Sequence, residues 1–136
     1  MKPEQVFKIA NIAVMPAWLL MLFAPKAAIT AQVMNSNVFS IGLALLYVFY
    51  LIASFGKVKA NFTTLDGIAK LFANKEALLA GWIHYLIFDL FVGTWQWRDT
   101  LQNGYSHWVL ILCLPFTLML GPVGLLLYLG LKMFVL

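Results

Sequence analysis

Apolar residues fill four blocks of the chain, roughly Val6–Ala24, Val38–Phe55, Ala77–Trp97 and Trp108–Met133, with polar stretches between them. Each block comes close to or exceeds the ~20 residues that a helix needs to cross a hydrocarbon layer of ~30 Å. The longest polar stretch, Gly56–Glu76, carries a smaller pattern of its own. Leu65, Ile68, Leu71 and Phe72 recur at helical spacing, Asp66, Lys70 and Asn74 lie on other faces, and Thr63-x-x-Asp66 resembles a capping box. That pattern predicts a short amphipathic helix at a membrane surface, either a lid over a lateral opening or a plain linker. The expected fold is all-α: a polytopic membrane protein with four transmembrane helices and one short interfacial helix between the second and third. Residues 1–136 form a single helical-bundle domain, with no room for a soluble one.

Breaks in the apolar pattern refine the elements. The first helix runs from about Glu4 to Pro25–Lys26, with Pro16 removing one backbone hydrogen bond midway. Ala13 and Ala17 offer a small-residue face for close helix contact, and Asn11 lies near the same depth as an interhelical hydrogen-bonding group or a ligand contact. Met34–Asn37 reads as a short loop, and Asp99–His107 as a turn containing Asn103-Gly104. In the last block Pro115 frees the carbonyl of Ile111 and Pro122 that of Leu118. Gly121-Pro122-Val123-Gly124 is the sharper break, tolerated at membrane depth only where protein, water or ligand satisfies the freed backbone.

Composition strengthens the membrane reading. The 136 residues are 63% hydrophobic and only 10% charged, with mean hydropathy +0.90, whereas soluble domains average about 25% charged residues. The net charge of +4 does not point to nucleic acid, because no basic and aromatic platform accompanies it. Under a four-span arrangement Lys2, Lys8, Lys57, Lys59, Lys70, Lys75 and Lys132 share one side, against Lys26 and Arg98 on the other. That asymmetry predicts both termini on the cytoplasmic or equivalent side. The first block is too long for a signal-peptide core and lacks a clean cleavage site, so it is expected to be a retained helix. Cys113, the only cysteine, reads as a small packing residue.

The chemistry concentrates in the third block, GWIHYLIFDLFVGTWQW. An ionisable group at membrane depth costs several kcal/mol and is rarely idle. At about 100° per residue, Gly81, Tyr85, Phe88, Asp89, Val92 and Gln96 share one sector, with His84 and Gly93 just beyond its edges. That wall is expected to face the bundle interior, where Asp89 escapes lipid. Metal binding is weakly supported, since His84 and His107 are the only histidines and lie at different depths, and one His with one Asp is an incomplete ligand set. Haem ligation by the same two histidines is weaker still. Two readings of the wall remain. In one, Asp89, uncharged among apolar neighbours, donates a proton, His84 accepts one, and Tyr85 fixes the carboxyl or the substrate. In the other, the three form a structural hydrogen-bond network.

AGWIHYLIFDLFVGTW together with GPVGLLLYL, NIAVMPAWLLMLFAPKAAIT and FTTLDGIAKLFANKEALLAGW resembles the abscisic-acid-deficient-four-like family of small integral membrane proteins, over nearly the whole chain. The resemblance implies carotenoid chemistry of the kind that turns violaxanthin into neoxanthin, in a thylakoid-type, envelope or bacterial inner membrane. The chain shows no long transit extension, which implies a bacterial or otherwise minimal form. The implied reaction is an isomerisation in which an epoxide opens while a proton leaves the polyene, so no redox cofactor is expected. On that view His84, Asp89 and Tyr85 are the catalytic candidates. Gly81, Trp82, Phe88 and Gly93, with Asn11, Gly121 and Pro122, are the ligand-binding candidates. The expected partners are the lipid bilayer and a carotenoid or other isoprenoid lipid. Four helices make a thin wall around a polyene, which leaves room for a homodimer or a complex with pigment enzymes. The alternative is a non-catalytic membrane protein that binds carotenoid or scaffolds pigment enzymes.

Overall fold

Pro3 occupies the first turn of α1 (Pro3–Phe23), where its missing N–H costs nothing. The computed structural model describes residues 1–136, all-helical and without strands. After α1 come α2 (Ala28–Ser36), α3 (Val38–Ser54), α4 (Leu65–Ala73), α5 (Lys75–Gln102) and α6 (Trp108–Phe134). Four segments are long and apolar enough to cross a membrane: Pro3–Phe23, Ala28–Ser54, Lys75–Gln102 and Trp108–Phe134.

Several boundaries differ from the sequence expectation. Met34–Ser36 are helical, and the expected loop shrinks to Asn37, whose positive φ of 55° a short polar side chain tolerates. One left-handed residue bends the chain without ending the span, so α2 and α3 act as one segment. At the far end α5 continues to Gln102, leaving a turn only over 103–107, where Gly104 supplies a φ of 67°. The cap of α4 is Thr64, whose Oγ1 accepts from Gly67 N at 3.1 Å, while Thr63 bonds Asn61 instead. In α1 the small buried face is Ala10 and Ala17, and Ala13 is exposed.

Helix α5 is the axis of the molecule. Its Leu79, Ile83, Leu86, Leu90 and Trp97 enter one core with Val6, Ala10, Val14, Trp18 and Met21 of α1, Leu43 and Tyr50 of α3, and Leu110 and Leu114 of α6. The outer surface is also apolar: Ile12, Leu45, Phe49, Phe91 and Leu126 are each more than 60% exposed. Charge gathers at the two ends, with ion pairs Lys75–Glu4 and Lys57–Glu76 at the end holding the N-terminus.

The last segment is not a straight rod. Leu120 has φ −141° and ψ 57°, outside the helical range, and the chain reverses there. Cys113 and Val109 pack against Tyr128, and a methyl group on Gly124 would overlap the backbone of Thr117. In a continuous helix residues seven apart stand about 10 Å apart along the axis, so these contacts require two arms, 108–119 and 121–134, folded against each other. The second arm runs parallel to α5: Gly121 lies on Asp89, the Gly124 carbonyl on Gln96, Tyr128 on Thr100 and Lys132 on Asp99. The α6 hairpin therefore returns to the end from which it started. Lys132 joins Lys26 and Arg98, and the two chain termini lie at opposite ends. The expectation of both termini on one side rested on a straight fourth crossing, which the Leu120 reversal removes.

Candidate functional site

The tip of the α6 hairpin meets the polar face of α5 at mid-length. Asp89 is 8% exposed, and its carboxyl fills the space where a side chain on Gly121 would stand. Glycine is required at 121 because only a bare α-carbon leaves room for that carboxyl. Asp89 Oδ2 is buried and has no hydrogen-bond partner. One turn away, the Tyr85 hydroxyl donates to the Met119 carbonyl at 2.7 Å and lies 3.5 Å from that of Leu118. Met119 is the last residue before the break at Leu120, so Tyr85 caps the end of the first arm.

Farther along the same face, Gln96 Nε2 donates to the Gly124 carbonyl at 3.1 Å and its Oε1 accepts from Thr117 at 2.8 Å. Gln96 thus ties both hairpin arms to α5. Beyond it Tyr128 bonds Thr100 at 3.1 Å and donates to Asp99 at 2.8 Å, while Lys132 reaches Asp99 at 2.7 Å. Tyr85, Asp89, Gln96 and Thr100 form one polar stripe, and the hairpin covers it. Gln96 was already in the sequence-derived sector, but Thr117, Tyr128, Thr100 and Lys132 were missed. The spacing of Gly121, Gly124 and Tyr128 is the available signal, since it puts small and polar groups on one face of the second arm.

The remaining candidates are spread over other surfaces. His84 is on an exposed flank, its ring 4.7 Å from that of Phe88 and 5.8 Å from that of Tyr47 of α3. It is not brought against Asp89. Phe88 is 56% exposed. Trp82 donates to Asn11 Oδ1 at 2.8 Å, so these two candidates join α5 to α1, and the Trp82 ring lies 5.2 Å from that of Tyr85. Gly81 is covered by Phe72 of α4, and Gly93 by the ring of Trp18, each too close for a side chain. Pro122 is exposed beside the tip. The indole N–H of Trp18, like Asp89 Oδ2, is buried without a partner. The four principal grooves are lined by other residues than Asp89 and His84. No group of three or more His, Cys, Asp or Glu side chains gathers as a metal site.

Fold and site together define an all-helical protein, apolar on its outside, with one buried carboxyl held against a broken helix. The profile of the ABA DEFICIENT 4-like family matches residues 5–128, and the chain belongs to that family. It is 38% identical over 130 residues to the protein ABA DEFICIENT 4, chloroplastic, of Arabidopsis thaliana. That match covers 89% of this chain and 57% of the plant protein, so the chain spans little more than half the length of that relative. No solved structure matches the chain.

Proposed function

We propose that the chain is a membrane-embedded protein of carotenoid metabolism that binds a xanthophyll-like polyene and isomerises it, with Asp89 as the proton donor. Family membership supports the substrate class, because plant members are linked to neoxanthin formation. The observation that carries the chemistry is the buried Asp89 carboxyl with an unpartnered Oδ2 beside a helix break. An ionisable side chain inside an apolar segment is costly and rarely without a role, so a buried carboxyl at this place suits a proton donor.

In the proposed step Asp89 gives its proton to the epoxide oxygen as the carbon–oxygen bond breaks. A carbon-bound proton of the polyene leaves to His84 or to a water, and because His84 stands away from Asp89 a water carries it back to the Asp89 carboxylate. Atoms and electrons balance without an oxidant or a reductant. Tyr85 acts on the site by fixing the hairpin tip.

Four apolar segments, an apolar waist and charged ends support insertion in a membrane. Six of the nine basic residues, Lys2, Lys8, Lys57, Lys59, Lys70 and Lys75, belong to the end that holds the N-terminus, which supports that end as the cytoplasmic or stromal one. Helix α4 carries exposed Leu65 and Phe72 beside Lys70, a composition suited to the interface.

A second reading, a non-catalytic carotenoid binder or scaffold, is favoured by His84 lying away from Asp89 and by the tight cover of Gly121 over the carboxyl. One experiment separates the two. The protein is expressed in a violaxanthin-producing host as wild type and as Asp89→Asn, and pigments are extracted from membranes and from purified protein. Product formed by the wild type and lost in the variant, with pigment still bound, supports the enzyme. Bound pigment without product in either protein supports the binder.

A further inference from the structure

Near the N-terminal ends of α1 and α5 a groove of about 470 Å³ opens on the outer surface, lined by Pro3, Glu4, Phe7, Lys8, Lys75, Leu78, Leu79 and Trp82. Its wall is apolar and aromatic, with Phe7 and Trp82 rings 5.3 Å apart. Its charged residues are Glu4, Lys8 and Lys75. Lys75 pairs with Glu4, and Lys8 takes part in none of the three ion pairs of the molecule. One net positive charge therefore stands over an open apolar trough.

We infer that this groove holds one anionic glycerolipid of the surrounding bilayer, its phosphate on Lys8 and Lys75 and its chain against Phe7, Leu78 and Trp82. The occupant follows from charge complementarity together with depth. The groove lies at the end that carries six of the nine basic residues, where lysines attract anionic headgroups, and its volume is within the range of small-molecule sites. A zwitterionic lipid brings its own ammonium beside the phosphate and so leaves the net charge of the groove uncompensated, and a free anion would leave the apolar wall open.

The position gives the lipid a consequence for the site. The Trp82 ring that closes the groove lies against that of Tyr85 at a tilt of 34°, and Tyr85 holds the hairpin tip at Met119. A bound chain buttresses Trp82 and so holds the tip over Asp89. The inference rests on the membrane part of the proposed function and is independent of the carotenoid.

The test uses the full chain reconstituted in vesicles of equimolar phosphatidylglycerol and phosphatidylcholine, with recovery in the vesicle fraction establishing insertion. Lipids retained after mild detergent release are counted by native mass spectrometry. The wild type is expected to retain phosphatidylglycerol over phosphatidylcholine by roughly fivefold, the effect of one lysine near an anionic surface. Lys8→Glu is expected to abolish that preference, and Leu78→Trp, which fills the trough, to remove the retained lipid. Lys59→Glu, at the same end but outside the groove, is expected to behave as wild type. Equal retention of the two lipids by the wild type overturns the inference. So does a loss in Lys59→Glu as large as in Lys8→Glu, or retention unchanged in Leu78→Trp. Turnover of pigment does not enter the measurement, so failure of the carotenoid reading leaves this result interpretable.

Discussion

Asp89, Tyr85 and Gly121 form a unit in which each residue constrains the others. A methyl group at 121 overlaps the Asp89 carboxyl, so Gly121→Ala is expected to destabilise the protein by about 1–3 kcal/mol, the usual penalty for overpacking. Thermal unfolding in detergent measures it, and a wild-type midpoint would show that the tip moves freely. Tyr85→Phe deletes the donor to the exposed Met119 carbonyl, at a cost of about 0.5–1.5 kcal/mol in the same unfolding measurement. Asp89→Asn keeps the shape of the carboxyl and removes its proton. Under the isomerase reading it should cut product formation by at least about 100-fold, the lower bound for general acid catalysis, with stability little changed. Product at wild-type rate in Asp89→Asn would remove this residue from the chemistry.

The α6 hairpin is the element that organises the site. Its arms approach at Thr117 and Gly124, where no side chain fits on the glycine. The native Cys113 of the first arm packs against Tyr128 of the second, so in Tyr128→Cys the two thiols are expected to be joined within one chain by a short bifunctional thiol reagent. A straight helix would hold these residues about 22 Å apart, beyond the reach of such a reagent. Absence of the cross-link, read by a mobility shift after thiol labelling, would sink the hairpin. Pro122 explains why the reversal occurs at this point: the chain cannot continue the ladder through it, and Leu120 takes the non-helical angles just before. Gly121 and Gly124 then allow the backbone to pass close to Asp89 and Thr117. Pro16 and Pro115 also lie inside helices, yet no comparable reversal is found at either. Proline alone does not fold a helix back; here it acts with two glycines and a waiting polar face.

At the scale of the whole molecule, the hairpin sets the topology. Three segments run end to end, and the fourth enters and leaves at one end, so the termini are separated. Tags at Met1 and at Leu136 in sealed vesicles are expected to show opposite protease accessibility. Equal accessibility would restore a straight fourth crossing and would be incompatible with the Lys132–Asp99 pair. The same topology moves the basic residues from seven against two to six against three, a weaker bias of unchanged sign.

Composition and apolar block length alone determined the all-helical class, the four long apolar segments and the placement of a carboxyl inside one of them. These are properties of single segments, because burial of a ~20-residue apolar stretch and satisfaction of its backbone follow from local pattern. The sequence motifs also led to the family. The reach of Asp89 to Gly121, the turn of His84 toward Tyr47, and the joining of Lys132 to Asp99 were decided only by tertiary structure. The first and the last depend on the direction in which the last arm runs, and the second on how α3 packs against α5. A helical wheel is blind to that direction, since the apolar pattern of 121–134 reads the same whether the arm continues across or folds back. What chose between the two was the fit of Gly121, Gly124 and Tyr128 against groups more than twenty residues away in the chain.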